Sequence, residues 1–429
     1  MGQYAVIDVE TTGLSPAQNH RILEVAVVLA DDNGNLVDEW ETLVNPLREV
    51  GAAEIHGLTA ADVYAAPTFD EILPELVSLL SGRMLVAHNL AFDARFLAAE
   101  FARAGHAVEL DGSAGLCTMR VAEYYLPSRA RSLEACCECI GYSIDSAHTA
   151  LEDARATAKL LAYYISQEDD FLGCWIDAAQ AAKRIVWSKV PSTAVKPWPR
   201  KLAALKAKEH FLQRLPSRAP RRGLHPEADK YLMVLDRVLL DGRISCHEAD
   251  ELVETAAVLG LSREDAATIH QQYLAALARL ALEDGPITSD GRADLVSVAE
   301  LLGLSADHVD SALQSVSRRK DHHAYPIRRF TLQPGDRVVF TGEAPGMSRS
   351  ELEYEARMRG LWVTGSVSKK TKLVAAADPD SLSGKARRAR SLGIPIVDYS
   401  TFIQMMEQLE SCEEGGSLGD TSYGNPYRY

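Results

Sequence analysis

At 429 residues, with a formal net charge of −15, 47% hydrophobic and 24% charged residues, the chain has the make-up of a soluble globular protein and the length for two to four domains. The longest apolar runs fall far short of a membrane span and the N-terminus enters an apolar strand directly, so neither a membrane anchor nor a signal peptide is expected. Seven cysteines, an odd number, point to a reducing compartment and hence to the cytoplasm, while the acidic balance requires any contact with a polyanion to come from local basic patches.

Residues 1–167 read as alternating strands and helices. Strands are expected over 3–10, 24–31 and 36–44, with Asp32-Asn33-Gly34-Asn35 as the turn between the last two. Asp8 and Glu10 lie two residues apart and therefore share one face of the first strand. Carboxylates are rarely buried unless paired or on a metal; the plain alternative is a strand end with both acids in water. Helices are expected over 73–80 and 92–104, around a strand at 84–88. Asn89 follows that strand, and Asp93 falls in the first turn of the second helix, where an ordinary first-turn Asp would also be at home. Cys136, Cys137 and Cys139 lie in a helical apolar pattern and read as core packing, not as a zinc site.

Thr149 and Glu152 form an S/T-x-x-E capping box ahead of an apolar run, which predicts a helix beginning at Ala150. His148 and Asp153 then occupy the staple positions N′ and N4, which usually hold two apolar side chains. An imidazole and a carboxylate there look like a base beside a metal ligand; the alternative is a surface His with a dipole-stabilised Asp.

These stretches together resemble the DEDDh family of 3′–5′ exonucleases, the group that includes the proofreading subunit of replicative DNA polymerase. Asp8-x-Glu10-Thr11-Thr12-Gly13, Asn89-x-x-Phe92-Asp93-x-x-Phe96-Leu97 and His148-x-x-x-x-Asp153 follow its motifs in order, and Ile55-His56-Gly57-Leu58-Thr59 is similar to a segment that approaches the 3′-terminal nucleotide. The resemblance implies a three-layer α/β ribonuclease-H-like fold. It implies Asp8, Glu10, Asp93 and Asp153 as ligands of two divalent cations, Mg²⁺ or Mn²⁺, with His148 as general base. Thr11, Thr12, Gly13, Leu14, His56 and Asn89 would be the substrate-binding residues. The chemistry suits these residue types: hard cations prefer carboxylate oxygens, two of them about 4 Å apart can hold the attacking and leaving oxygens, and His is the side chain that titrates near neutral pH.

Residues 168–222 read as a basic, Pro-containing linker. From Lys183 to Arg222 it holds twelve Lys or Arg against one acid, Glu209, with five prolines that limit helix length. Trp187 and Trp198 interleave with the charge, and either stack on nucleic-acid bases or pack on a neighbouring domain. Residues 223–317 carry an internal repeat: Asp241-Gly242 recurs as Asp284-Gly285, and Leu259-Gly260-Leu261-Ser262 as Leu302-Gly303-Leu304-Ser305. This all-α repeat resembles the helical domain of tellurite-resistance-type proteins and reads as an interaction module. After a linker at 318–330, residues 331–410 resemble a small α/β BRCT domain of the kind that ends bacterial NAD-dependent DNA ligase. The carrying residues run from Gly335-Asp336-Arg337 to Thr341-Gly342, then Pro345-Gly346-Met347, Gly384-Lys385-Ala386 and Gly393-Ile394-Pro395. Arg359-Gly360-Leu361 has one Gly where the family often has two, and Phe402 stands where many members have Trp. The resemblance implies Thr341, Gly342 and Lys385 as a phosphate or DNA cradle, for a phosphoprotein or a DNA end. Residues 411–429 read as a disordered tail.

The expected function is a metal-dependent 3′–5′ exonuclease on nucleic acid, DNA rather than RNA, releasing 5′-mononucleotides, with DNA polymerase or repair proteins as partners and no membrane. The alternatives are an RNA exonuclease, or a BRCT and helical scaffold with a vestigial nuclease fold.

Overall fold

The computed structural model describes residues 3–51, 53–126, 131–144, 149–167, 172–187, 190, 195–206, 210–215, 228–283, 287–318, 330–343, 346 and 348–411. The chain divides into two compact units, Met1–Glu209 and His210–Tyr429.

The first unit is built on a five-stranded mixed sheet. Strands β1 (Tyr4–Thr11), β2 (Ile22–Ala30) and β3 (Leu36–Leu43) form an antiparallel meander, and β4 (Met84–Ala87) and β5 (Gly115–Cys117) add in parallel beyond β1, giving the order β3-β2-β1-β4-β5. Around it run α1 (Ala53–His56), α2 (Ala60–Tyr64), α3 (Phe69–Leu80), α4 (Leu90–Arg103), α5 (Thr118–Tyr125), α6 (Leu133–Cys139), α7 (Ala150–Ser166), α8 (Leu172–Arg184) and α9 (Arg200–Lys206). The period-two pattern of β1 sorts its side chains into two cores. Ala5, Ile7 and Val9 pack with Val25 and Val27 under Phe69, Leu73, Phe96 and Phe101 of α3 and α4. Tyr4 and Val6 pack with Ala26 and Val28 under Ala154, Leu160 and Leu161 of α7. Asp8 and Glu10 continue this second row. A register shift between Glu10 and Thr11 ends the regular pairing with β2 just beyond the acids.

The sequence places most of these elements within a few residues, and the differences have physical reasons. The helix expected at 73–80 begins four residues earlier, because Thr68 and Glu71 form a capping box and Pro74 is accommodated inside the helix. At α7 only half of the expected box forms. Thr149 Oγ1 accepts from the Glu152 N–H at 3.4 Å, but the Glu152 carboxylate is taken up by Arg155, which also reaches Glu39 at 2.9 Å. A charged partner one turn on outcompetes a backbone N–H. The turn after β2 is tied by Asp31, whose carboxylate accepts from the Asn33 and Asn35 N–H groups. Gly34 there has φ +77°, and a Cβ would stand 2.6 Å from Ala162 Cα of α7. The three-residue β5 is too short to carry a period and was not expected.

Described residues between 172 and 206 of the basic segment read as a linker pack on this unit. The Trp175 indole N–H donates to Tyr4 Oη at 3.3 Å. Trp187 packs on the core with its ring 5.8 Å from that of Phe101, and the Trp198 backbone pairs with Leu43 N and Thr42 Oγ1 at 2.9 Å. The Trp187 ring is thus a packing group, not a base-stacking platform. In α6, Cys136 and Cys137 are buried, and burial pushes the Cys137 thiol up to about 12, as packing cysteines should behave.

The second unit holds a helix-rich part and a small sheet. Helices α10 (Ala228–Val238), α11 (Cys246–Leu259), α12 (Arg263–Glu283), α13 (Ser289–Leu301) and α14 (Ala306–Arg318) share one apolar core. Ser245 and Glu248 form a capping box at the start of α11, and Gly242 adopts φ +66° in the first Asp-Gly turn; Asp284, Gly285 and Pro286 of the second lie outside the described residues. Strands β6 (Arg337–Thr341), β7 (Trp362–Val363), β8 (Thr371–Ala376) and β9 (Ile396–Asp398) form a parallel sheet ordered β7-β6-β8-β9, with α15 (Arg349–Met358), α16 (Gly384–Ser391) and α17 (Tyr399–Ser411) packed on it. The two parts touch: the Asp380 carboxylate accepts from the Cys246 N–H at 2.8 Å, and Arg237 Nη1 donates to the Gly393 carbonyl at 3.2 Å.

His270 is wholly buried in the helical core, its ring between Tyr231 Oη at 3.0 Å and the Leu302 carbonyl at 2.8 Å. The carbonyl fixes Nδ1 as the donor, so Nε2 accepts from the tyrosine. Burial holds this histidine neutral, down to about 4. Its contribution to stability is therefore complete above the unfolded pKa of about 6.5 and falls away as pH drops towards 4, by at most about 3 kcal/mol. His270→Gln is expected to flatten this dependence, measured by hydrogen exchange of α10 and α12 amides between pH 7 and 4.5; an unaltered slope would show that other groups set it.

Candidate active site

The end of β1 delivers Asp8 and Glu10 to the face covered by α7, whose first turn carries Asp153. One oxygen from each of the three carboxylates lies within 4.8 Å of the others. Asp93 comes from the first turn of α4, immediately after β4, and is buried beside the Val9 backbone, with which it hydrogen bonds. Burial and the mutual repulsion of these acids push Asp8 well above the ordinary carboxylate range, Asp93, Asp153, Glu10 and Glu24 all contributing. Burial and then Glu24 push Glu10 up to about 8, and burial pushes Asp93 up to about 7. Oxygen donors alone, crowded and mutually repelling, are the donor set of a hard divalent cation. Among the described residues this is the one acid, His or Cys grouping with such spacing. His148 lies outside the described residues.

The residues expected at the substrate end behave unequally. Thr11 and Thr12 are buried and locally engaged: Thr11 Oγ1 donates to the Gly13 carbonyl at 2.9 Å, and Thr12 Oγ1 accepts from the Arg21 N–H at 3.0 Å. Gly13 has φ +154°, and a Cβ there would collide with the His20 ring at 2.4–2.7 Å. Leu14 projects into solvent, 78% exposed. Asn89 is exposed at the N-cap of α4 without a side-chain cap bond. His56 is 2% exposed, and its Nδ1 accepts from the Leu58 N–H at 3.1 Å. The imidazole thus folds the Gly57 turn, which has φ +68°, instead of reaching outward.

Sequence reasoning passed over Glu24, taking it for a strand start. It is 1% exposed, pairs across the sheet with Glu10, and accepts from the Ala150 N–H at the start of α7 at 3.1 Å. The available signal was a carboxylate heading the apolar run of β2 opposite an acid of β1.

In the second unit, Thr341, Gly342 and Lys385 come together around the end of β6. Thr341 Oγ1 meets Ser383 Oγ, the N-cap of α16, at 2.9 Å, Tyr399 Oη donates to the Thr341 and Gly342 carbonyls, and Lys385 Nζ donates to the Phe340 carbonyl at 2.9 Å. Burial and then Arg349 hold the Lys385 ammonium below its usual pKa.

Because the acids are raised in the cation-free fold, their contribution to stability is full below the unfolded carboxylate pKa and is lost as pH climbs through the folded values, about 8 for Glu10. Mn²⁺ should therefore raise the unfolding temperature more at pH 8 than at pH 5.5, with a gain of about 2.7 kcal/mol at a hundredfold excess over Kd. Asp8→Asn should stabilise the cation-free protein and blunt the response. A Mn²⁺ gain that is equal at the two pH values would separate the repulsion from cation binding.

Residues 5–161 match the RNase_T family profile, described as Exonuclease. The same region is 35% identical over 165 residues to a PolC-type DNA polymerase III of Thermotoga petrophila, covering 38% of this chain and 12% of that one. It is 34% identical over 161 residues to a DNA polymerase III subunit epsilon-like protein of Rhodobacter capsulatus, covering 36% of this chain and 23% of that one. The chain thus spans less than a quarter of these relatives' lengths. Among solved structures, Escherichia coli Exonuclease I in complex with a dA16 oligonucleotide is similar at 20% identity and a TM-score of 0.34, covering 39% of this chain and 42% of that one. The N-terminal part of the chain is accordingly an exonuclease domain of the RNase_T family, followed by a helix-rich remainder.

Proposed function

We propose that this protein is a metal-dependent 3′–5′ exonuclease that removes 5′-mononucleotides from the 3′ ends of DNA. The observation that carries the reading is the convergence of Asp8, Glu10 and Asp153 within 4.8 Å on the strand end and helix start of an exonuclease domain. Asp8, Glu10, Asp93 and Asp153 would hold two divalent cations, Mg²⁺ or Mn²⁺. When bound, these supply charge neutralisation and Lewis acidity at the scissile phosphate. His148, two positions before the first residue of α7 in the sequence, would take the proton from the attacking water. Leu14 wedges against the terminal base. Thr11, Thr12, Gly13 and Asn89 shape the pocket, and His56 acts by holding its turn beside it. The DNA polymerase names of the relatives favour DNA over RNA and a replication or repair partner. An intact set of acids argues against a vestigial fold.

In this reading residues 223–317 are a helical interaction module and 331–410 a BRCT module, with Thr341, Gly342 and Lys385 facing a DNA end or a phosphoprotein. No helix among the described residues is long and apolar enough to cross a membrane. The linker contributes phosphate contacts through those cations not used internally, such as the exposed Lys201.

The test is hydrolysis of 3′-labelled single-stranded DNA, duplex DNA and RNA with Mn²⁺ or EDTA. Release of mononucleotides from DNA, abolished by EDTA and slowed by a blocked 3′ end, is expected; activity that survives EDTA overturns the two-cation mechanism. Asp153→Asn is expected to lose Mn²⁺ affinity and turnover together. His148→Ala should keep Mn²⁺ and lose about 10²–10⁴-fold in turnover; loss of the cation in both variants would make His148 a ligand. Neutralising Lys201, Lys206 and Lys208 should flatten log affinity against log salt by about 0.7–0.9 per phosphate contact removed.

A further inference from the structure

Arg200 lies beyond the region matched by the exonuclease profile, in the segment whose charge reads as nucleic-acid binding. Its guanidinium is directed inward. Nε donates to Glu24 Oε1 at 2.8 Å and Nη2 to Glu24 Oε2 at 2.7 Å, while Nη1 donates to the His56 carbonyl at 2.7 Å. Each of these partners belongs to the architecture of the site. Glu24 stands opposite Glu10 across the sheet and receives the Ala150 N–H, which opens the helix that carries Asp153. His56 belongs to the turn beside the site. The segment that delivers Arg200 is anchored just before it by the Trp198 backbone on Thr42 and Leu43 of the sheet edge.

We propose that Arg200 is a positioning residue of the exonuclease site, supplied by the chain beyond the exonuclease profile, and that it acts by keeping Glu24 engaged as a support and out of the cation site. The inference rests on the metal-dependent exonuclease reading above. Without a countercharge, Glu24 is a buried anion next to Glu10, and a buried carboxylate left alone must gain a proton, draw in water or take a cation. Each outcome disturbs Glu10 or the start of α7. With Arg200 in place both Glu24 oxygens are satisfied, one fork holds the sheet and the His56 turn together, and Glu24 remains the acceptor for the N-terminus of α7. Three acceptors, two carboxylate oxygens and a carbonyl, engage three nitrogens of one guanidinium; an ammonium could satisfy a carboxylate oxygen and the carbonyl only in part. The docked segment 195–206 is, on this account, part of the nuclease site, so an event that lifts it from the sheet edge lowers activity without touching a cation ligand.

The experiment uses the full-length chain carrying Arg200→Ala, Arg200→Lys, and Arg200→Ala with Glu24→Gln. Mn²⁺ affinity is measured by calorimetry, and kcat and KM on 3′-labelled single-stranded DNA. Arg200→Ala is expected to weaken Mn²⁺ binding and lower kcat by about 10–100-fold, the usual cost of removing a support behind a ligand, with KM close to wild type. Arg200→Lys should lose less. Adding Glu24→Gln to Arg200→Ala should recover Mn²⁺ affinity, because a neutral amide can still accept from the Ala150 N–H and carries no charge with which to enter the cation site. Wild-type Mn²⁺ affinity and kcat in Arg200→Ala overturn the proposal, as does a double variant no better than the single one, which would make Arg200 a mere tether. Should Arg200→Ala fail to fold, Arg200→Lys decides: wild-type values there remove the need for the fork. If the wild-type protein degrades no nucleic acid, the exonuclease reading fails, while the Mn²⁺ affinities of the variants still judge the role of Arg200.

Discussion

Crowded negative charge at the end of one strand is the constraint around which the first unit is arranged. Asp8, Glu10 and Asp153 approach one another closely, Asp93 is buried beside them and Glu24 lies behind. In water such a group would spread apart; here the strand is pinned between one antiparallel and one parallel neighbour, and the helices that bring Asp93 and Asp153 are fixed by apolar cores on opposite faces. The cores thus perform work against electrostatics, holding acids in a geometry they would not choose. Functional sites commonly depart from what stability alone would select. Glu24 is compensated from within the protein, by a bidentate guanidinium.

How much of this could be read from the sequence depended on the range of the interaction. Asp8 and Glu10 were legible because two-residue spacing fixes a common face in any strand. The start of α7 was legible from Thr149, since a cap is a local event. Where two local options competed, pattern alone could not choose: Glu152 had a backbone N–H and Arg155 within reach, and the ion pair prevailed. The start of α3 lies at Phe69, before the apolar run from residue 73 that marks the helix in the sequence, because Thr68 and Glu71 cap it there. His56 matched a motif, yet its ring is spent on its own turn. The Glu24–Arg200 pair joins residues 176 positions apart, and no periodicity reports on such a distance. The basic character of the segment from Lys183 to Arg222 hid it further, because a charge that looks solvated in composition can be turned inward by a single buried acid.

The second unit repeats the theme at lower stakes. Ser245 caps α11 through its own side chain, and Asp380, from the sheet part, takes the next free N–H at Cys246. A helix N-terminus favours negative charge, so this contact fits the sheet part onto the helical part by the same physics that ends a helix. Arg237 does the reverse, donating to the Gly393 carbonyl while paired with Glu251.

The alternation along β1 has a bearing on how the chain folds. A pairing slip of one residue between β1 and β2 would turn Asp8 and Glu10 towards the Phe69, Phe96 and Phe101 layer and send Ile7 and Val9 to the other side. Burying two carboxylates among phenylalanines is far costlier than misplacing two aliphatic side chains. The same acids that strain the finished site thus discriminate against the misregistered sheet while it assembles, so a strand carrying only apolar residues at those positions would be free to settle in either register.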